Sequence, residues 1–157
     1  MNIKLHNKAK AGDYIEFYVS HMGPKDEDNI HTMNDNSSSL KEEIYCVFEN
    51  CFALSNRRFK YYGPTVYDQE QLKKLLILLS NKLNYLSKLK SGSDFTSFIK
   101  EDDPMGCNFT NYFDRDSPDW IKDWKTINQQ LIDVNKGLIK IVQEALDQHQ
   151  YLWVFGI

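Results

Sequence analysis

Six carboxylates and several aromatic side chains are grouped in EDDPMGCNFTNYFDRDSPDW, residues 101–120. Carboxylates at this density can bind a metal ion, exchange protons with a substrate or attract a basic protein. Asp114, Asp116 and Asp119 are spaced much like the start of a calcium loop, but its turn glycine and its glutamate at the twelfth position are missing. We therefore expect no calcium here, and an interaction surface explains the stretch better.

Other metal ligands and catalytic motifs are also missing from the sequence. The four histidines are scattered and form no HExxH pattern, and Cys46 and Cys51 would lie about 140° apart around a helix. No glycine-rich phosphate loop and no GxSxG nucleophile turn occurs. We expect a protein without metal, cofactor or catalytic residues, and a small enzyme without recognisable motifs stays as an alternative.

Charge is distributed unevenly along the chain. Residues 37–91 carry nine basic and five acidic side chains, net +4, whereas residues 92–120 carry two basic and seven acidic side chains, net -5. Aromatic anchors among acidic neighbours suit a surface that binds a basic partner, because the aromatics supply buried area and the acids steer association. The candidate partner-binding residues are Asp94, Glu101, Asp102, Asp103, Phe109, Tyr112, Phe113, Asp114, Asp116 and Asp119.

A basic and aromatic segment offers an alternative interface. NRRFKYY, residues 56–62, combines Arg57, Arg58 and Lys60 with three aromatic rings that could stack on nucleic-acid bases. The net charge of -3 and the isoelectric point near 5.8 oppose this interpretation, because nucleic-acid-binding domains are usually basic. The residues leave open whether the acidic or the basic face is the interface, and how many copies associate.

The elements that position these residues follow from composition and periodicity. With 157 residues and 41% hydrophobic side chains, the chain suits a single domain, 1–157, with a buried core. Mean hydropathy is -0.56, no apolar run is long enough to span a bilayer, and the N-terminus lacks the pattern of a secretory signal. We expect a cytoplasmic protein that does not enter a membrane.

The N-terminal half predicts a strand, an exposed loop and a helix. Residues 14–20 alternate apolar and polar side chains, as a strand with one buried face does, and residues 22–39 are rich in loop-forming types. Ser39 and Glu42 match a capping box, and apolar residues then recur at helical spacing. We therefore expect a first helix over residues 40–57.

The C-terminal half predicts two more helices and a final strand. Asp68 and Gln71 match a second capping box before a leucine-rich helix that should end near SGSD, residues 91–94. A third helix, capped by Asp116 or Ser117, carries an apolar seam. YLWVFGI is typical of a strand, which we expect to pair with the N-terminal strand or with a short strand at residues 61–66. The expected fold class is α+β, mainly α: three long helices packed as a bundle with a small sheet formed by the N- and C-terminal strands. The seam comprises Trp120, Trp124, Ile127, Leu131, Val134, Leu138, Ile141 and Ala145.

Two segments carry a resemblance to a known class of protein. YYGPTVYDQEQL, residues 61–72, leads into an amphipathic leucine helix, and a long final helix leads into LWVFGI, residues 152–157. This arrangement resembles the small bacterial immunity proteins encoded beside polymorphic or contact-dependent growth inhibition toxins. The resemblance implies a cytoplasmic, non-enzymatic protein that covers one cognate toxin domain, and it carries over no catalytic residue.

Overall fold

The computed structural model of the protein describes residues 2–102, 109–110 and 119–156. Its strands are β1 (Tyr14–Ser20), β2 (Ser38–Lys41), β3 (Pro64–Tyr67) and β4 (Tyr151–Phe155). Its main helices are α1 (Glu42–Tyr45), α2 (Glu49–Ser55), α3 (Gln69–Ser87), α4 (Gly92–Asp102) and α5 (Trp124–Asp147), with 3₁₀ helices at Pro24–Asn29 and Trp120–Asp123. The α+β class is confirmed. No helix in the described ranges is long and apolar enough to cross a membrane.

The four strands form one antiparallel sheet in the order β2-β1-β4-β3. Strands β1 and β4 pair in the centre, with Phe17 opposite Val154, as the terminal apolar patterns predict. Strand β4 also pairs with β3, so the C-terminal strand uses both of the neighbours that the sequence suggested as alternatives. One face of the sheet joins the main core with the helices.

The first predicted helix, residues 40–57, is wrong in its first part. Leu40 pairs with Ile15 in the sheet, and the helical residues that follow are broken into α1 and α2. Five successive side chains, residues 44–48, are all buried. A regular helix buries only one stripe, so the chain bends between α1 and α2 to enclose them, with short-range hydrogen bonds at Val47 and Phe48.

Helix α3 begins as the sequence predicts. The Asp68 side chain accepts a hydrogen bond from the Gln71 main-chain N–H, and the Gln71 side chain accepts one from the Asp68 N–H, both at 2.9 Å. The predicted end is only partly right. Helix α3 stops at Ser87, before the predicted end at residues 91–94. Those residues begin α4, where the Ser91 hydroxyl accepts a hydrogen bond from the Asp94 N–H.

Helix α5 packs along α3 and buries most of the predicted seam, from Ile127 to Ala145. Within this range one position differs, because Val142 is buried and Ile141 is only half-buried; Trp124, before it, is also half-buried. At 100° per residue, position 142 lies roughly 25° from the centre of the buried stripe, and position 141 lies roughly 75° from it. A seam that repeats every seven residues drifts around a straight helix, so over this length the buried face passes from position 141 to position 142. Regular α-helix starts at Trp124, and the predicted caps Asp116 and Ser117 lie outside the described residues.

The loop over residues 22–36 covers the second face of the sheet, where the sequence predicts exposed chain. Ile30 packs there with Trp153 and Phe155 in a small separate cluster, and the Trp153 indole N–H donates to the Met22 carbonyl at 2.7 Å. Glu16, expected on a polar face, is 5% exposed beneath this loop. The loop is therefore part of the packed structure.

Candidate partner-binding surface

Buried aromatic rings hold α4 against the start of α5. The Phe95 ring centroid lies 6.2 Å from those of Trp120 and Trp124, and the Phe109 centroid lies 6.2 Å from that of Trp120. Phe109 is 0% exposed. The structure contradicts the expectation that Phe109 is a surface anchor, because its burial in this aromatic cluster leaves no face for a partner.

The carboxylates of Asp94 and Glu101 are exposed on α4. They are seven positions apart, which is about 10 Å along the helix and within about 20° around it, so both lie on one face. We call this pair the acidic rim. Asp119 is also exposed, and its carboxylate pairs with the Lys122 ammonium at 2.8 Å. The structure does not describe the Asp102 side chain or Asp103, Tyr112, Phe113, Asp114 and Asp116.

An apolar groove of about 350 Å³ lies between α2, α3 and α4. Tyr85 stands at its edge, 50% exposed, with its ring stacked on Phe98 at 5.4 Å between centroids. Leu54, on α2, lines the groove and is 75% exposed. Ile77, on α3, is 61% exposed but lies about 90° around the helix from the α3 residues that line the groove. The groove is lined by Asn50, Cys51, Leu54, Leu78, Asn81, Lys82, Tyr85, Phe98 and Glu101.

Sequence reasoning missed these exposed apolar residues. The signal was present, because Ile77 and Tyr85 fall outside the stripe of leucines that α3 buries at positions 72, 75, 79 and 86. An apolar residue off the buried stripe of a helix faces solvent, and several together mark a contact surface. Glu101 also lines the groove, so this carboxylate of the acidic rim lies at the same edge of the molecule as Leu54 and Tyr85.

Lys82 forms part of the groove floor. Its ammonium donates to the Val47 carbonyl at 2.5 Å and lies 5.5 Å from the centroid of the Phe98 ring. The cation is thus held inward by a carbonyl and by the negative face of an aromatic ring. This contact also ties α3 to the start of α2 and keeps the groove in shape.

The basic segment at residues 56–62 is only partly available to a ligand. Arg57 and Arg58 are exposed, whereas the Lys60 ammonium pairs with Glu27 at 3.1 Å. Of the three aromatic rings, Tyr62 is the most exposed, at 70%, since Phe59 packs on the core and Tyr61 donates its hydroxyl hydrogen to Glu42. One exposed ring gives little stacking area for a nucleic-acid strand.

Three tyrosines beside α1 and α2 have pKa values well above the ordinary value for a phenol. Burial raises the pKa of Tyr45, Tyr61 and Tyr67, and the hydrogen bond to Glu42 raises the pKa of Tyr61 further. The shifts keep all three phenols protonated at neutral pH, which is the opposite of what a phenolate nucleophile needs. The Tyr67 hydroxyl donates to the Phe52 carbonyl at 2.8 Å, a contact that holds β3 to α2.

No group of three or more His, Cys, Asp or Glu side chains within the described part of the chain is arranged to hold a metal ion. Cys46 and Cys51 are buried in the core. Comparisons of the chain with protein-family models, curated proteins and solved structures find no match.

Proposed function

We propose that this chain is a non-catalytic binding protein of the immunity type, which covers a basic toxin domain in the cytoplasm of the cell that makes both. The observation that supports the proposal is the acidic rim, Asp94 and Glu101, on one face of α4 beside the exposed ring of Tyr85. A charged rim around an aromatic anchor is the usual anatomy of a protein-binding surface.

The two parts of this surface act at different stages of binding. The carboxylates attract a basic partner over a distance of about one Debye length, ~10 Å at 0.1 M salt, and so raise the association rate. The Tyr85 ring is held by its stack on Phe98 and is already ordered before the partner arrives. A preordered anchor loses little entropy on binding, so its contribution falls mainly on the dissociation rate.

Coexpression tests the proposal. The C-terminal domain encoded by the gene immediately upstream is expressed in bacteria alone and together with this chain, and surviving cells are counted. Isothermal titration of the two purified proteins measures binding. We expect the domain to kill cells when alone, the chain to restore growth, and a complex to form. A toxic domain that neither binds nor is neutralised by the chain would contradict the proposal.

A pair of tyrosine variants localises the contact. Tyr85→Ala removes the expected anchor, and Tyr62→Ala is the matched control because it truncates another exposed tyrosine. We expect Tyr85→Ala to raise the dissociation rate constant about tenfold or more, equivalent to ~1.4 kcal/mol, and Tyr62→Ala to leave it unchanged. Equal effects of the two variants would place the contact elsewhere.

A further inference from the structure

The segment before β1 is basic, and hydrogen bonds hold it against the sheet. Residues 2–12 contain three lysines and one histidine but no acidic residue. The His6 main-chain N–H donates to the Ser39 carbonyl at 2.8 Å, and the Ser39 N–H donates to the His6 carbonyl at 2.9 Å. The Ser39 hydroxyl donates to the Lys8 carbonyl at 2.7 Å. The main chain of the segment is therefore fixed to β2 at two of its residues.

Apolar side chains fix the same segment against the core. Ile3 is 3% exposed, and Leu5 packs so closely on α5 that a Cβ atom at Gly137 would lie 2.8 Å from the Leu5 side chain. Lys4, between these two apolar residues, is exposed. The fold thus buries one set of alternating side chains and presents the cations of the segment on its outer side.

The cations of this segment lie around the ring of His6. The His6 ring meets the Tyr14 ring edge-on, with 5.6 Å between centroids, and the Lys10 ammonium lies 5.5 Å from the centroid of the same Tyr14 ring. Burial lowers the pKa of His6, and the charges of all three lysines lower it further. Salt screens a charge beyond about 10 Å at 0.1 M, so all three ammonium groups lie near this ring. We call Lys4, His6, Lys8 and Lys10 the lysine patch.

No described carboxylate pairs with the lysine patch. Its three lysines form no ion pair with another described residue. Glu16, which lines a cavity with Lys10, is 5% exposed and already accepts hydrogen bonds from two main-chain N–H groups. Asp133, which lines a cavity with Lys4, already accepts a side-chain hydrogen bond within α5. The patch therefore keeps its positive charge toward solvent.

The compact arrangement of the patch favours phosphate groups as its ligand. Lysine ammonium groups bind phosphate as point charges, and an imidazole N–H can donate a further hydrogen bond to it. A chain of three phosphates concentrates several negative charges in a volume that converging ammonium groups can surround. A nucleic-acid strand suits the patch less well. The Tyr14 ring is half-buried and already contacts His6 and Lys10, so it offers little area on which a base could stack.

We propose that the lysine patch binds a small polyphosphate anion, either inorganic triphosphate or the triphosphate group of a nucleotide. The hydrogen bonds to Ser39 and the burial of Ile3 fix the main chain before the anion arrives, so little backbone entropy is lost on binding. The patch lies outside the acidic rim and the groove, so the proposal is independent of the proposed toxin binding.

Isothermal titration of the purified chain with inorganic triphosphate, in a phosphate-free buffer at low salt, tests the proposal. We expect one anion per chain and an affinity that falls as salt rises. Lys4→Gln/Lys8→Gln removes two exposed cations of the patch and should raise Kd tenfold or more, with an unchanged circular dichroism spectrum. The matched control, Lys136→Gln/Lys140→Gln, removes the same charge from exposed positions of α5 and should bind normally. No binding by the unaltered chain, or equal weakening in both variants, would overturn the proposal.

The imidazole signals of His6 in NMR spectra report where the anion lies. A bound anion stabilises the imidazolium, so triphosphate should raise the pKa of His6 and shift its ring signals, whereas those of the exposed His149 should stay the same. The variant Lys4→Gln/Lys8→Gln should show a smaller shift at the same triphosphate concentration. Saturable binding that leaves the His6 signals unchanged would place the anion elsewhere and contradict the proposal.

Two further ligands distinguish the sources of the phosphate chain. Equal affinities for adenosine triphosphate and inorganic triphosphate would support a bare polyphosphate, and tighter binding of adenosine triphosphate would support a nucleotide. Adenosine monophosphate should bind at least tenfold more weakly than either, because it has one phosphate group for three lysines. Single-stranded oligouridine that binds more tightly than triphosphate, at the same concentration of phosphate groups, would assign the patch to a nucleic-acid backbone and overturn the proposal.

Discussion

The side-chain amide of Asn135, on α5, contacts the main-chain carbonyl of Leu79, on α3. In the amide orientation that satisfies both of its polar atoms, Asn135 donates to this carbonyl at 3.1 Å and accepts from the Leu83 N–H at 3.0 Å. Asn135 is fully buried, so a slip of α5 along α3 would leave its amide unpaired in the core. The contact therefore fixes the register of the two longest described helices.

Asn135→Ala should destabilise the protein by about 1–3 kcal/mol, because it removes two buried hydrogen bonds and leaves a small cavity. Asn128→Ala is the matched comparison. Its amide donates to the Leu86 carbonyl at 3.0 Å, but its oxygen has no hydrogen-bond partner within the described structure. We expect the smaller loss for Asn128→Ala, measured by urea denaturation. A loss for Asn128→Ala as large as that for Asn135→Ala would be inconsistent with the register role.

The leucines of α3 should differ in their contribution to stability. Leu75, Leu79 and Leu86 are 0% exposed against α5, whereas Leu83 is half-buried. Each of the first three Leu→Ala changes should reduce the free energy of unfolding by about 2–5 kcal/mol, and Leu83→Ala by less, because its cavity opens to solvent. Unchanged denaturation midpoints for the buried three would contradict the packing of α3 on α5.

Local patterns predicted the elements whose signals lie close together in the chain. Short spacings define the capping box at Asp68, the seam of α5 and the alternation in β1. Each pattern is set by residues two to four positions apart in the sequence. The strand β2 could not be found in this way, because Leu40 has the spacing of the following helix and only its pairing with Ile15 makes it a strand. That pairing joins positions distant in sequence, and propensity does not encode it.

Glu16 should hold the loop that covers the outer face of the sheet. Its carboxylate accepts hydrogen bonds from the Met33 and Asn34 main-chain N–H groups at 2.7 and 2.9 Å, and from the Asn34 side chain at 3.1 Å. Glu16→Gln removes the charge and turns an N–H group toward these donors, so we expect a loss of about 1.5–3 kcal/mol. Hydrogen exchange at Met33 and Asn34 should accelerate more than in the exposed control Glu144→Gln. Unchanged exchange would show that the loop does not depend on this carboxylate.

His6 should make the fold less stable in mild acid. Burial lowers its pKa, and the nearby charges of Lys10, Lys4 and Lys8 lower it further. The unfolded chain then binds a proton at His6 more readily than the folded chain, so stability is fully present above the unfolded pKa of about 6.5 and falls as pH decreases toward the folded pKa.

The variant His6→Asn isolates this effect from the carboxylates. It keeps the main-chain hydrogen bonds between residue 6 and Ser39 and removes the titrating ring. We expect the free energy of unfolding of the unaltered chain, relative to that of the variant, to fall from about pH 7 to about pH 5. A relative stability that rises over this range would contradict the lowered pKa.

The sequence pointed to exposed acidic residues but not to the burial of Phe109 or to the groove. The excess of acidic residues after position 91 led to Asp94 and Glu101, which the structure leaves exposed. Burial of Phe109 could not be predicted from the same stretch, because Trp120, which its ring contacts, packs in turn on Phe95 of α4. The groove was missed for a related reason, since three helices form it and no single segment contains its lining residues.

The association rate with the domain encoded upstream, which is the proposed toxin, tests the central claim most directly. Asp94→Lys/Glu101→Lys reverses the acidic rim, and Glu144→Lys/Asp147→Lys makes the same charge change at exposed positions of α5. Stopped-flow measurement at low and physiological salt should show the rim variant associating about tenfold or more slowly at low salt with little remaining salt dependence, and the control close to the unaltered chain. Equal rates for the rim variant and the unaltered chain, or equal slowing in both variants, would contradict binding through the acidic rim.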